Sequence, residues 1–113
     1  MNIYTEDEAL IELLEEGCTN DKRYKRLPKD VIKGYIKAYN HLKAYNHLKA
    51  ATRIEDLFRI GSLHYERLKG DLKDFESVRC TGRWRLIFQS STIDGSLIIT
   101  EIELIEISNH YGD

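Results

Sequence analysis

Residues 75–90 read Phe75-Glu76-Ser77-Val78-Arg79-Cys80-Thr81-Gly82-Arg83-Trp84-Arg85-Leu86-Ile87-Phe88-Gln89-Ser90. Apolar and polar residues alternate with a period of two, the signature of a strand with one face buried. Thr81-Gly82 interrupts the alternation with a tight turn, so residues 75–80 and 83–90 are predicted to pair as a hairpin. Its faces sort themselves. Val78, Cys80, Trp84, Leu86 and Phe88 share one side and pack on helices; Ser77, Arg79, Arg85, Ile87 and Gln89 share the other.

Working outward, residues 62–69 read as a further strand, followed by a turn at Gly70-Asp71. Downstream, Asp94-Gly95 is another turn signal and residues 96–107 form a long strand. Its alternation breaks where Leu104 and Ile105 adjoin, which predicts a β-bulge. Upstream the period lengthens. Thr5 and Glu8 have capping-box spacing, Ala9, Leu10, Leu13 and Leu14 recur at helical intervals, and Gly17 stops the helix. Pro28 suits a helix start, and a second helix is expected over residues 28–50. A short capped helix is expected from Thr52 to about Gly61. Helices first and antiparallel strands after them define an α+β class: two N-terminal helices packed on a twisted antiparallel sheet.

The second helix contains the string KAYNHL twice, at 37–42 and 43–48. Six residues turn a helix by about 600°, so the copy is displaced by roughly 120° around the axis and adds about 9 Å. Val31, Tyr35, Tyr39 and Leu42 form one stripe, from which Tyr45 and Leu48 drift. The copy reads as a duplication inserted into an existing helix.

A length of 113 residues corresponds to a single domain over 1–113. With 42% apolar and 32% charged residues the chain belongs to the globular class, and no apolar run reaches the roughly 18 residues of a membrane span. The acidic N-terminus lacks an apolar signal region, which predicts a cytoplasmic protein with Cys18 and Cys80 reduced. The net charge of −2 conceals segregation: −3 over residues 1–28, +4 over 29–60, +2 over 61–89 and −5 over 90–113. A mildly acidic chain is no indiscriminate nucleic-acid binder, but a local basic site remains open.

Two arginines on one hairpin face need a reason, since unpaired charge is seldom placed on a central strand. One reading pairs Arg79 and Arg85 with Glu76, Glu101 or Glu103 across the sheet; the other makes them an anion site. His41 and His47 lie on different helix faces and make a poor metal pair. His64 stands alone. His110 and Tyr111 read either as a frayed tail or as a base and a stacking ring delivered to the sheet. No Gly-rich phosphate loop, CxxC, HExxH or GxSxG string is present, so no metal and no cofactor are expected.

Four strings now stand together: Leu68-Lys69-Gly70-Asp71, Ser77-Val78-Arg79, Gly82-Arg83-Trp84-Arg85-Leu86-Ile87-Phe88 and Ile107-Ser108-Asn109-His110-Tyr111. Tyr24-Lys25-Arg26-Leu27-Pro28 and Ile54-Glu55-Asp56-Leu57 accompany them. In this order and spacing they resemble the RelE/ParE superfamily of bacterial toxins, most closely its HigB-like branch. The resemblance covers nearly the whole chain apart from one KAYNHL copy.

The resemblance implies a toxin of a type II toxin–antitoxin pair that cleaves mRNA on the ribosome without metal, the RNA 2′-OH attacking the adjacent phosphate. It implies Lys69 as charge stabiliser or proton donor, Arg79 and Arg85 as phosphate clamps, and His110 as a candidate base. Arg83 and Tyr111 are implied as RNA contacts, through the backbone and by base stacking. The implied partners are a helix-turn-helix, HigA-like antitoxin, the ribosome and mRNA; operator DNA is reached only through the antitoxin, and no membrane is involved. Glu66 occupies the place where some HigB-like members carry a histidine. The alternative is a non-catalytic binding module, either a ParE-like gyrase binder or a chain that only binds its antitoxin.

Overall fold

The computed structural model describes residues 2–48, 52–53, 59, 61–93 and 98–110. In chain order the elements are β1 (Asn2–Tyr4), α1 (Glu8–Glu16), α2 (Lys29–Leu48), β2 (Thr52–Arg53), β3 (Glu66–Arg67), β4 (Glu76–Thr81), β5 (Trp84–Thr92) and β6 (Ile98–Ser108). The sheet runs β1-β6-β5-β4-β3, with the short β2 pairing β6 beside β1. The β6-β5-β4-β3 part is antiparallel, as the hairpin predicted. β1 adds itself parallel to β6 and makes the sheet mixed. Three residues are too few to carry a period, so this strand leaves no local pattern to read.

Two helices cover one face of the sheet, and the core lies between them. It contains Ala9, Leu10 and Leu13 of α1, Val31, Tyr35, Ala38 and Leu42 of α2, and Val78, Leu86, Phe88, Ile102, Leu104 and Ile107 of the sheet. Cys80 and Trp84 pack on its margin, so the helix-facing side of the hairpin is the one the alternation assigned. Ala38, rather than Tyr39, fills the α2 stripe; Tyr39 is only half-buried. Gly34 lets α2 lie directly on β4: a Cβ there would stand 2.6 Å from the Cys80 carbonyl carbon. A glycine in mid-helix costs about 1 kcal/mol of helix propensity, and close packing compensates for it here. The Tyr35 hydroxyl donates to the Leu10 carbonyl at 3.0 Å and ties the helices together.

Several boundaries differ from expectation. The cap of α1 is Asp7, whose carboxylate accepts the Ala9 N–H at 3.0 Å. Thr5 is engaged elsewhere: its hydroxyl donates to the Leu104 carbonyl at 2.9 Å and accepts the Asp7 N–H. Gly17 does end the helix, in the left-handed conformation at φ 74°. Residues 52–53 are strand rather than helix, because their backbone pairs with Ile98 and Ile99; the remainder of that expected helix, residues 54–58 and 60, lies outside the described residues. So do the Asp94-Gly95 turn and Tyr111. The strand expected over 62–69 shrinks to Glu66–Arg67, preceded by a 3-10 turn at Gly61–Leu63. The bulge near Leu104 and Ile105 is present: Ile87 faces Glu106 and Phe88 faces Leu104, leaving Ile105 as the extra residue. No described helix is long and apolar enough to cross a membrane.

Candidate functional site

The face of the sheet turned away from the helices can be followed row by row, because directly opposed residues share a face. Arg79 of β4, Arg85 of β5 and Ser108 of β6 form one row. The next contains Glu66, Ser77, Ile87 and Glu106. Beyond it come Gln89, Glu103 and Tyr4, then Ser91, Glu101 and Asn2. The face is therefore basic at the hairpin tip and acidic at the far end. Desolvation and then the nearby Glu103, Glu101 and Glu6 raise the Tyr4 phenol above its ordinary value, marking the acidic end. Six residues of β5 separate Arg85 from Ser91, roughly 20 Å.

The two arginines differ in environment. Arg85 is only 8% exposed. Its Nε donates to the Ser77 hydroxyl at 2.6 Å, and its Nη2 donates to the His64 carbonyl. Burial pulls its guanidinium down from the ordinary value; Glu66 opposes that shift and Arg79 adds to it. Arg79 is exposed, and among the described residues its side chain has neither hydrogen bond nor ion pair. The described ion pairs join Arg23 to Asp7 and Asp21 instead. Pairing of the hairpin arginines with Glu76, Glu101 or Glu103 is thus absent among the described residues. Glu76 in particular lies on the helix side, bonded to Tyr65 and Ser90. Parity already excluded it, since residue 76 shares a face with Val78.

A bulge sharpens the arginine row. Arg79 opposes Arg85 and Thr81 opposes Trp84, so Cys80 is an extra residue in β4. Such a kink re-aims neighbouring side chains, and this one lies under Gly34 of α2. Burial pushes the Cys80 thiol up to about 12, which makes it packing rather than a nucleophile. Gly82, at φ 56°, and Arg83 close the hairpin, leaving Arg83 exposed beside the row. His110 follows β6 and is exposed; its N–H donates to the Ser108 hydroxyl at 3.0 Å, which ties the residue to the same row.

Arg79, Arg83, Arg85 and His110 are therefore gathered at one end of one face. Lys69 is not beside them. The Leu68 N–H bonds to the Phe75 carbonyl, which sets Lys69 level with residue 74, five residues along the β4 direction from Arg79, roughly 17 Å by strand rise. Sequence reasoning missed the two groups that orient Arg85. Ser77 was on the correct face without an assigned task, and a backbone carbonyl such as that of His64 leaves no mark in a sequence.

What this arrangement can do is hold an anion. Two guanidinium groups facing each other across a hydrogen-bonded strand pair repel unless negative charge lies between them or above them. The Arg85 fork is held in advance, so an arriving phosphate meets a donor that needs no reorganisation.

The sequence between residues 11 and 102 matches the model of the RelE-like toxin of type II toxin–antitoxin system HigB. No curated protein matches the chain. Among solved structures, a YoeB/ParE toxin from Agrobacterium tumefaciens superposes with a TM-score of 0.50 at 20% identity, over 98% of this chain and 100% of that one. That likeness concerns the fold, and it agrees with two helices on a twisted sheet. With most of its length inside the family model, the chain belongs to the HigB-like, RelE-type toxins of type II toxin–antitoxin systems.

Proposed function

We propose that this toxin is a ribosome-dependent mRNA endoribonuclease that uses the RNA's own 2′-OH as nucleophile. The observation that carries the reading is the opposed pair of exposed Arg79 and buried Arg85 on the sheet face turned away from the helices, without carboxylate partners among the described residues. In the proposed reaction the 2′-oxygen bonds to phosphorus while the bond to the 5′-oxygen breaks. One proton leaves the 2′-OH and one reaches the 5′-oxygen. Arg79 and Arg85 neutralise the charge that grows on the non-bridging oxygens. His110, at the end of the same row, is the candidate proton carrier. Arg83 would hold the RNA backbone and Tyr111 would stack on a base. Lys69, being off the row, fits the flanking RNA backbone better than the reacting phosphate.

Membership of a type II toxin family implies an antitoxin partner. A HigA-like, helix-turn-helix antitoxin that binds operator DNA, and action in the cytoplasm, complete the proposal. The test is induced expression in growing bacteria, with mRNA ends mapped on translating ribosomes. Growth arrest with new mRNA ends, both abolished by Arg79→Ala, is expected. Growth arrest with intact mRNA would assign the chain to the non-catalytic alternative, a ParE-like gyrase binder or an antitoxin-binding remnant.

A further inference from the structure

Beneath the arginine face lies a buried polar cluster that the proposed chemistry does not use. Glu76 is 4% exposed and faces the helices. Its carboxylate accepts three hydrogen bonds. The Tyr65 hydroxyl donates to Oε1 at 2.5 Å, and the Ser90 N–H and hydroxyl donate to Oε2 at 3.0 and 2.6 Å. A buried carboxylate without partners is strongly disfavoured, and three donors satisfy this one with no ion pair among the described residues.

The cluster anchors a strained neighbour. His64 has φ 45°, the one positive value outside glycine among the described residues. Its flanking side chains, Leu63 and Tyr65, are both buried in the core. His64 itself is exposed between them, and its carbonyl accepts a hydrogen bond from Arg85 Nη2. A left-handed histidine persists only where its surroundings enforce it. Tyr65, next in the chain, is held by its bond to Glu76 and by its ring contact with Phe88.

We propose that Tyr65, Glu76 and Ser90 are positioning residues that hold the His64 peptide in its left-handed form. Its carbonyl, with Ser77, then fixes the Arg85 guanidinium toward an anion on the open face. The anion is the phosphate of the proposed reaction, so this inference rests on that reading. None of the three touches RNA. They act through Arg85, sparing it the rotamer freedom it would otherwise lose on binding. Burial first, and then the Glu76 bond, raise the Tyr65 phenol, so it remains a donor at neutral pH.

The test is Tyr65→Phe, which keeps the ring tilted against Phe88, at a centroid distance of 6.2 Å, and removes the hydroxyl. Nitrogen-15 NMR reads the Arg85 Nε–H directly. Its exchange with solvent should quicken about tenfold in the variant, the scale of one lost hydrogen bond to a charged group. Cleavage should fall by a similar factor in kcat, with KM little changed. Leu13→Ala in α1 destabilises the core away from the row and should leave the Arg85 signal as it was. Should Tyr65→Phe fail to fold, Ser90→Ala, which removes one donor to Oε2, moves the same signal in the same direction. An Arg85 signal unmoved by Tyr65→Phe and Ser90→Ala, or loosened equally by Leu13→Ala, overturns the inference. The NMR readout needs no RNA: if it behaves as expected while the wild-type chain cleaves nothing, the phosphate reading fails and the positioning cluster stands.

Discussion

Substituting the two hairpin arginines one at a time separates a binding role from a structural one, because the structure forecasts different stabilities for the two variants. Arg79 is exposed and without a described partner, so Arg79→Ala should change stability by no more than about 0.5 kcal/mol. Arg85 is buried and donates to Ser77 and to the His64 carbonyl. Hydrogen bonds to a charged group contribute about 1.5–3 kcal/mol each, part of which is offset by the desolvation the guanidinium no longer suffers. A net loss of about 2 kcal/mol for Arg85→Ala corresponds to a Tm drop of roughly 8 °C in a domain of this size. Both variants should lose mRNA cleavage by a factor on the order of 10²–10³, as when a donor to developing oxyanion charge is removed. The double variant should lose less than the product of the two factors, since both groups face one phosphate. Thermal melts and primer-extension mapping of ribosome-bound mRNA measure the two effects separately. A folded double variant that cleaves at the wild-type rate would refute the anion site. Equal Tm losses for the two single variants would refute the asymmetry drawn from their burial.

Four further outcomes follow from the packing. Gly34→Ala drives a methyl group into the Cys80 carbonyl and should cost about 1–3 kcal/mol by overpacking, seen as a lower urea midpoint. Cys18 is exposed and should react with a thiol reagent in the native state, whereas Cys80, its thiol raised to about 12 by burial, should react only on unfolding. Stability should be highest at intermediate pH. The Arg23 hydrogen bond holds Asp7 below the usual carboxylate range, so its contribution is present above the unfolded value of about 4 and is lost as pH falls. Burial raises Tyr35, Tyr65 and Cys80, so their contribution is intact below unfolded values of about 8.5–10 and is lost as pH rises past them; melts from pH 3 to 11 that rise steadily into alkali would contradict this. Deleting residues 43–48 leaves α2 unchanged through Leu42, the last core residue described in it, so the fold should survive; an unfolded product would show that the second KAYNHL copy belongs to the core.

The hairpin, the helix stop at Gly17, the helix start at Pro28 and the bulge at Ile105 were legible in the sequence, because each follows from local chemistry: a period of two, a residue free to adopt positive φ, a proline at a helix N-terminus, a broken alternation. So was the sharing of one face by Arg79 and Arg85, from the alternation of apolar residues; their direct opposition comes from the bulge at Cys80, since a two-residue turn at Thr81-Gly82 alone would set Arg79 against Trp84. The strings around Lys69, Arg79 and Arg85 carried the family as well and lie within the match over residues 11–102; the string around His110 lies beyond it. Three things depended on residues distant in the chain. β1 exists because β6, about a hundred residues away, offers it an edge, and the same strand draws Thr5 away from the α1 cap. The expected strand over residues 62–69 breaks at the 3-10 turn of Gly61–Leu63 and the left-handed backbone of His64, so that only Glu66–Arg67 pair with β4. Lys69 stands apart from the arginines because strand register, set by backbone pairing with β4, outranks proximity in sequence. Periodicity reports which side a residue faces; the partner opposite it is decided by packing between segments that no local pattern connects.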